Sequence, residues 1–301
     1  MTLTEPPQQV QSAGRWKLPK ASLLIAIVCL IGVMVLLYPT GASWFSSIGQ
    51  SEQLGNYTHD VQDVGPAGRH QALADAHAYN ATLTGDATLK ANTRLPQAND
   101  TDLSSQATYD KLLAADPYGL MARIKIPSID ADLPIYHGTS EAVLQKGIGH
   151  LEGTSLPVGG VGTHAVLTGH RGLATSTLFT HLDQVKVGDT FTIEVFGEVL
   201  TYRVATTKIV QPDETKSLYP QAGRDLVTLV TCTPLGINSE RILVTGERIL
   251  PTPHKDVVSA GKGAEVPFPW WMLQLAGAIL ALAFYVWATG RPARHAAAAA
   301  R

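Results

Sequence analysis

The chain has 301 residues, 45% hydrophobic and 16% charged, with a formal net charge of −2 at pH 7. That balance fits one medium-sized domain plus apolar spans, and no basic run marks a nucleic-acid binder. With 27 Gly and 18 Pro and no internal repeat of solenoid period, it favours a turn-rich β domain over a helix bundle or an array.

Residues 1–20 are polar, and Arg15, Lys17 and Lys20 precede an apolar run over residues 21–38. That run is long enough nearly to cross a bilayer as a helix, and Pro39 and Gly41 are expected to end it. It reads as a retained signal anchor, being longer than a usual signal core. The alternative is a cleavable signal peptide, with Thr40-Gly41-Ala42 as the small residues of the cleavage site. Either reading places the chain beyond it outside the cytoplasm. Residues 42–118 form a polar prelude, in which Leu73, Ala76 and Leu83 stand at helical spacing within Arg69–Leu83. Residues 84–107, rich in Thr, Asn, Asp and Gly, read as a loop, and a short helix is expected through Tyr109, Leu112 and Leu113. His59, His70 and His77 have no carboxylate or cysteine partners at ligand spacing, so no metal site is expected here.

The β domain begins near Gly119. Residues 121–126 and 132–136 read as strands, and residues 147–160 as a glycine-rich structural loop. That loop lacks the lysine of a phosphate loop and the spacing of a dinucleotide fingerprint. His164–Thr168 reads as a strand that runs into Gly169-His170-Arg171-Gly172. Residues 190–196 and 199–205 alternate apolar and polar about Gly197, the pattern of a hairpin. Residues 226–244 read as strand, polar turn and strand, and antiparallel pairing would bring Arg241 beside Cys232. Short strands at this spacing predict a closed or nearly closed barrel. A second apolar span lies at residues 269–290, with Trp270, Trp271 and Trp287 near its ends and Arg291 and Arg294 beyond. The stretch 39–58 has no Lys or Arg, so the positive-inside rule puts both termini in the cytoplasm and residues 39–268 outside. Lys255 and Lys262 weaken that asymmetry without reversing it.

The cysteines narrow the chemistry. Cys29 lies inside the first apolar run, so Cys232 stands alone in the rest of the chain and has no disulfide partner there. A lone extracytoplasmic cysteine reads equally as a small buried hydrophobe or as a reactive thiol. A nucleophilic thiolate needs a nearby cation, which Arg241 supplies, and a histidine to move protons. Of His137, His150, His164, His170 and His181, His170 is best placed, at a strand mouth flanked by glycines.

The segments Leu167–Leu173 (LTGHRGL), Thr228–Pro234 (TLVTCTP) and Asn238–Arg241 (NSER) resemble the histidine, cysteine and arginine motifs of sortases. The run over residues 126–160 is similar to class C, the pilus-assembling group, as is the pair of spans around one extracytoplasmic domain. The resemblance covers roughly residues 119–250. It implies a mainly β fold: an eight-stranded sortase-type β-barrel with short helices, preceded by a helical and loop segment and flanked by two transmembrane helices. The layout expected is a cytoplasmic 1–20, a span at 21–38, a helical or lid segment at 39–118, the barrel at 119–250, a linker at 251–268, a span at 269–290 and a cytoplasmic tail at 291–301.

It further implies a cysteine transpeptidase without a cofactor or metal. Cys232 would be the nucleophile, His170 the proton-transfer partner, Arg241 the oxyanion and substrate holder, and Thr231 an orienter of the substrate carbonyl. An LPxTG-like sorting signal would be cleaved between Thr and Gly, forming a thioester that passes to a lysine amine of the next pilin. The partners implied are pilins or surface proteins bearing a C-terminal sorting signal, an acceptor amine and the membrane. One alternative is the same chemistry with a peptidoglycan-precursor amine, anchoring proteins to the cell wall. Another is a non-catalytic surface scaffold with an inert cysteine. Asp116-Pro117-Tyr118 matches a class C lid motif and equally reads as a turn into the barrel. If it is a turn, the lid falls within residues 84–107 or is absent. There Leu95-Pro96-Gln97-Ala98-Asn99 distantly resembles a sorting signal and would act as a decoy in the groove.

Overall fold

The computed structural model describes residues 16–83, 108–263 and 266–291. The chain divides into two compact units, one of Ala42–Pro267 and the other of the residues up to Gly41 with those from Phe268.

The larger unit is built on a closed barrel of eight strands: β1 Leu120–Ile126, β2 Ala131–His137, β3 Ile148–His150, β4 Thr163–Thr168, β5 Thr190–Val195, β6 Glu198–Val210, β7 Asp225–Thr233 and β8 Glu240–Arg248. Around the barrel they run β1-β2-β3-β4-β7-β8-β6-β5, and β5 pairs with β1 to close it. The alternation of β5 sets its faces, with Phe191, Ile193 and Val195 buried and Thr192 and Glu194 less so. β4 and β7 run parallel, Thr168 level with Val230, and both are buried along nearly their whole length. Parallel strands covered on both faces usually read as near-continuous apolar runs; here buried His164, Thr228 and Thr231 interrupt the run.

Several segments differ from the sequence expectation. Pro39 and Gly41 do not end the first helix. α1 runs Lys20–Asp63 with Pro39 inside it, and Thr40 Oγ1 donates to the Leu37 carbonyl 2.8 Å away. Beyond Gly41, tertiary burial outweighs weak propensity: Leu54, Tyr57 and Val61 are buried, and Tyr57 Oη donates to the Met121 carbonyl of β1 at 2.7 Å. α2 Gly65–Thr82 forms where helical spacing predicts a helix, with Leu73 and Ala76 buried. Residues 108–113 make a single turn that buries Tyr109 and Leu113. The glycine-rich stretch 147–160 is not all loop, because β3 lies in it, too short to show a period. A one-turn helix, α3 Glu141–Leu144, precedes β3 and is capped by Ser140, whose hydroxyl accepts from the Val143 N–H.

The expected linker after β8 is tied to the barrel. α4 His254–Ser259 places Asp256 Oδ2 to accept from Thr201 Oγ1 at 2.9 Å, and buried Arg123 donates to the Lys262 carbonyl at 2.7 Å. α5 Trp270–Thr289 and α1 are both long and apolar enough to cross a membrane.

Two core histidines couple the fold to pH. His150 is fully buried, with Nδ1 2.8 Å from Tyr109 Oη and Nε2 2.9 Å from the Ser155 carbonyl. As a neutral ring it accepts from the tyrosine and donates to the carbonyl. Burial pushes its imidazole down to about 4, against the opposing bond to Ser155, and burial lowers His164 too. The unfolded chain therefore binds more protons as pH falls below the ordinary histidine range. This contribution is complete above about pH 6.5 and is lost toward pH 4, His150 accounting for about 3 kcal/mol. The thermal midpoint of the full chain should fall across that window, and a midpoint flat from pH 7 to 4 would contradict the assignment.

Candidate active site

β7 and β8 set the centre of the site. Their antiparallel register puts Cys232 directly opposite Arg241, with Thr231 opposite Ile242. Directly opposed residues carry side chains on the same face of a sheet. Both members of the pair are enclosed, Cys232 at 6% and Arg241 at 4% exposure. Arg241 Nη1 donates to the Asn238 and Glu240 carbonyls at 3.0 and 2.9 Å, which fixes the guanidinium at the mouth of the β7–β8 turn.

The parallel neighbour of β7 brings the histidine. β4 ends at Thr168, and the next residues stay tied to β7: Gly169 N donates to the Val230 carbonyl at 3.0 Å, and Thr231 Oγ1 donates to the Gly169 carbonyl at 2.7 Å. Arg171 grips the other side. It donates through Nη1 to Thr233 Oγ1 at 2.9 Å and through Nε to the Thr180 carbonyl at 3.1 Å, and it pairs with Asp183 at 2.7 Å. The Gly169 backbone and the Arg171 side chain, on either side of His170, thus anchor to Thr231 and Thr233, on either side of Cys232. Gly169 is required by close approach, since a Cβ there would lie 2.6 Å from Ile148 Cδ1 and 2.7 Å from the Phe179 ring. Gly172 has φ +76° and faces Leu235 so closely that a Cβ would come within 2.5 Å of it.

His170 Nε2 lies 3.2 Å from Glu141 Oε1 of α3. From the same helix, Leu144 packs against Cys232. Burial pushes the Cys232 thiol up, and Arg241 pulls it back by a smaller amount. The net direction is upward, with the Arg241 guanidinium as an opposing influence that favours the thiolate.

The other expected residues have the following contacts. Thr231 is fully buried with its hydroxyl engaged by Gly169, so its side chain acts on the histidine segment. Asp116 Oδ1 accepts from the Tyr118 and Leu120 N–H groups at 3.0 and 2.9 Å, and Tyr118 is exposed. Of the two readings of Asp116-Pro117-Tyr118, the geometry is that of a turn leading into β1. These residues line a cleft of about 310 Å³ with Gln53 and Asn56 of α1. The alternative lid at 84–107 and the decoy at 95–99 lie outside the described residues. His164 bonds Tyr219 and Thr228, and His137 the Gly119 and Leu112 carbonyls, both as internal ties. Sequence reasoning missed Arg171 and Glu141. The first stands next to His170 and carried a signal. The second is brought in by tertiary folding alone.

A sortase-domain family profile matches residues 124–249. The structure superposes on that of sortase C-1 from Actinomyces oris with a TM-score of 0.57 and 48% identity, covering 61% of this chain and 99% of that one. The chain belongs to the sortase family. Sortase C1 from Streptococcus agalactiae is a second class C neighbour, at TM-score 0.61 and 40% identity over 67% of this chain and 100% of that one. Among curated sequences, sortase D of Bacillus subtilis is 32% identical over 129 residues, which is 42% of this chain and 62% of that protein's length. The eight-stranded barrel is the sortase architecture, and the family is one of cysteine transpeptidases.

Because Arg241 is the nearby cation that offsets the burial of the thiol, Arg241→Gln should raise the Cys232 pKa further. The rate of Cys232 alkylation in the folded chain should then fall at pH 7 to 8, with the pH dependence displaced upward. An unchanged profile would remove Arg241 from the thiol's electrostatics.

Proposed function

We propose that this sortase is a membrane-anchored transpeptidase that cleaves an LPxTG-like sorting signal between Thr and Gly and transfers the acyl group to a pilin lysine, polymerising pili. The observation that carries the reading is the opposition of Cys232 and Arg241 across β7 and β8, with the His170 segment bonded to β7 on both sides of the cysteine.

The chemistry runs in two halves. The thiol proton passes to His170, and the sulfur attacks the threonine carbonyl carbon. Negative charge builds on the carbonyl oxygen, where the Arg241 guanidinium stabilises it; loss of one such donor costs about 3 kcal/mol. The imidazolium gives its proton to the departing glycine amine as the C–N bond breaks, leaving a thioester on Cys232. A lysine amine then attacks the thioester and its proton returns to the imidazole. The C–S bond breaks to give the isopeptide bond, and the imidazolium returns its proton to the departing thiolate, restoring the thiol and the neutral imidazole. Two apolar helices and the Lys17, Lys20 and Arg291 flanks support a two-span anchor with both termini in the cytoplasm. A further structural neighbour, sortase C of Streptococcus pneumoniae at 39% identity, is described in terms of pilin substrate specificity, which favours pilin as the substrate class.

In full-length protein, Cys232→Ala should abolish thioester formation with a sorting peptide, and Arg241→Ala should lower its rate about 100-fold. Cells carrying the active enzyme should yield ladders of covalently linked pilin. A single protein attached to wall fragments would instead assign a peptidoglycan amine as acceptor. A Cys232 thiol that reacts only in denatured protein, with no thioester formed, would favour an inert scaffold.

A further inference from the structure

α3 is one turn long, yet it touches both partners of the proposed chemistry. Glu141 meets His170, and Leu144, at the following i+3 position, lies against Cys232. Residues three apart share a helix face, so the turn sets a carboxylate and an isobutyl group over the site together. Ser140 caps the turn, and fully buried Leu144 holds it down. Gln145 Nε2 donates to the same Glu141 oxygen at 2.6 Å, which steadies the carboxylate although its side chain is 64% exposed.

We propose that Glu141 is a positioning residue for His170: its carboxylate keeps a proton on Nε2 and so dedicates Nδ1 to exchange with the thiol and the leaving amine. This rests on the reading that His170 serves Cys232 in acyl transfer. An ionised carboxylate only accepts hydrogen bonds, so the ring nitrogen facing it carries hydrogen. In the neutral imidazole Nδ1 then holds the lone pair. Among the described residues Glu141 is the group that meets the His170 ring, at Nε2, so its carboxylate bears on this choice. A buried aspartate in the same role governs about four orders of magnitude in rate. An exposed pair is screened and is expected to govern about one.

The test uses the full-length chain in detergent, with a peptide of the Leu-Pro-X-Thr-Gly type as donor and hydroxylamine as the acceptor amine. Glu141→Ala should lower kcat about tenfold with KM for the peptide unchanged. Glu141→Gln, which retains an acceptor oxygen, should recover most of that loss. In ¹⁵N-histidine spectra the wild-type His170 should show the Nε2–H tautomer, and Glu141→Ala should show a mixture. An Nδ1–H tautomer in the wild type, or full kcat in Glu141→Ala, would overturn the proposal. So would a loss of kcat with the tautomer unaltered, which would point to loosening of α3. If the wild-type chain forms no thioester at all, the transpeptidase reading fails, while the spectrum still decides whether Glu141 fixes the ring.

Discussion

The site depends on one register: Cys232 opposite Arg241 in the antiparallel pair β7–β8. Side chains alternate along a strand, so a slip of one residue would turn the thiol and the guanidinium to opposite faces of the sheet. The register is held by the β7–β8 turn, where Arg241 bonds the carbonyls of Asn238 and Glu240, and by the burial of Val227, Leu229, Ile242 and Val244 in the main core. The cation is therefore fixed by the same contacts that form the barrel.

The histidine is added to this pair by a second, parallel contact. β4 and β7 lie far apart in sequence, and parallel pairing requires a long crossover between them. The intervening β5–β6 hairpin and its flanking loops supply that connection. The end of β4 is then fastened by Thr231 before the cysteine and by Thr233 after it. Positioning is shared among backbone atoms and hydroxyls, which explains why Thr231 and Arg171 are spent on architecture at the site's edge.

Much of this was legible in the sequence. The strand-turn-strand at 226–244, the hairpin about Gly197 and the strand ahead of Gly169-His170 carry period-two patterns or turn glycines, which are local signals. The second half of α1 was missed because Pro39 and Gly41 are local stop signals, whereas Leu54, Tyr57 and Val61 gain their burial from β strands distant in sequence. β3 escaped because three residues cannot establish a period. The tie of the 251–268 linker to β1 through Arg123 had no sequence signal, because a carbonyl acceptor has no side-chain signature. Glu141 was illegible for the same reason: nothing in its neighbourhood names a histidine beyond β3.

The grip on β1 from both flanks has a consequence for where the catalytic unit begins and ends. Tyr57 of α1 reaches the Met121 carbonyl, and Arg123, two residues on, holds the carbonyl of Lys262 while facing Asp132 and Glu194. An excised piece trimmed to the strands alone would strip a phenol from one side of β1 and a carbonyl from the other. It would also lay bare the apolar surface under Leu73 and Ala76. The smallest self-sufficient piece is thus wider than the sheet, and it takes in chain from both sides.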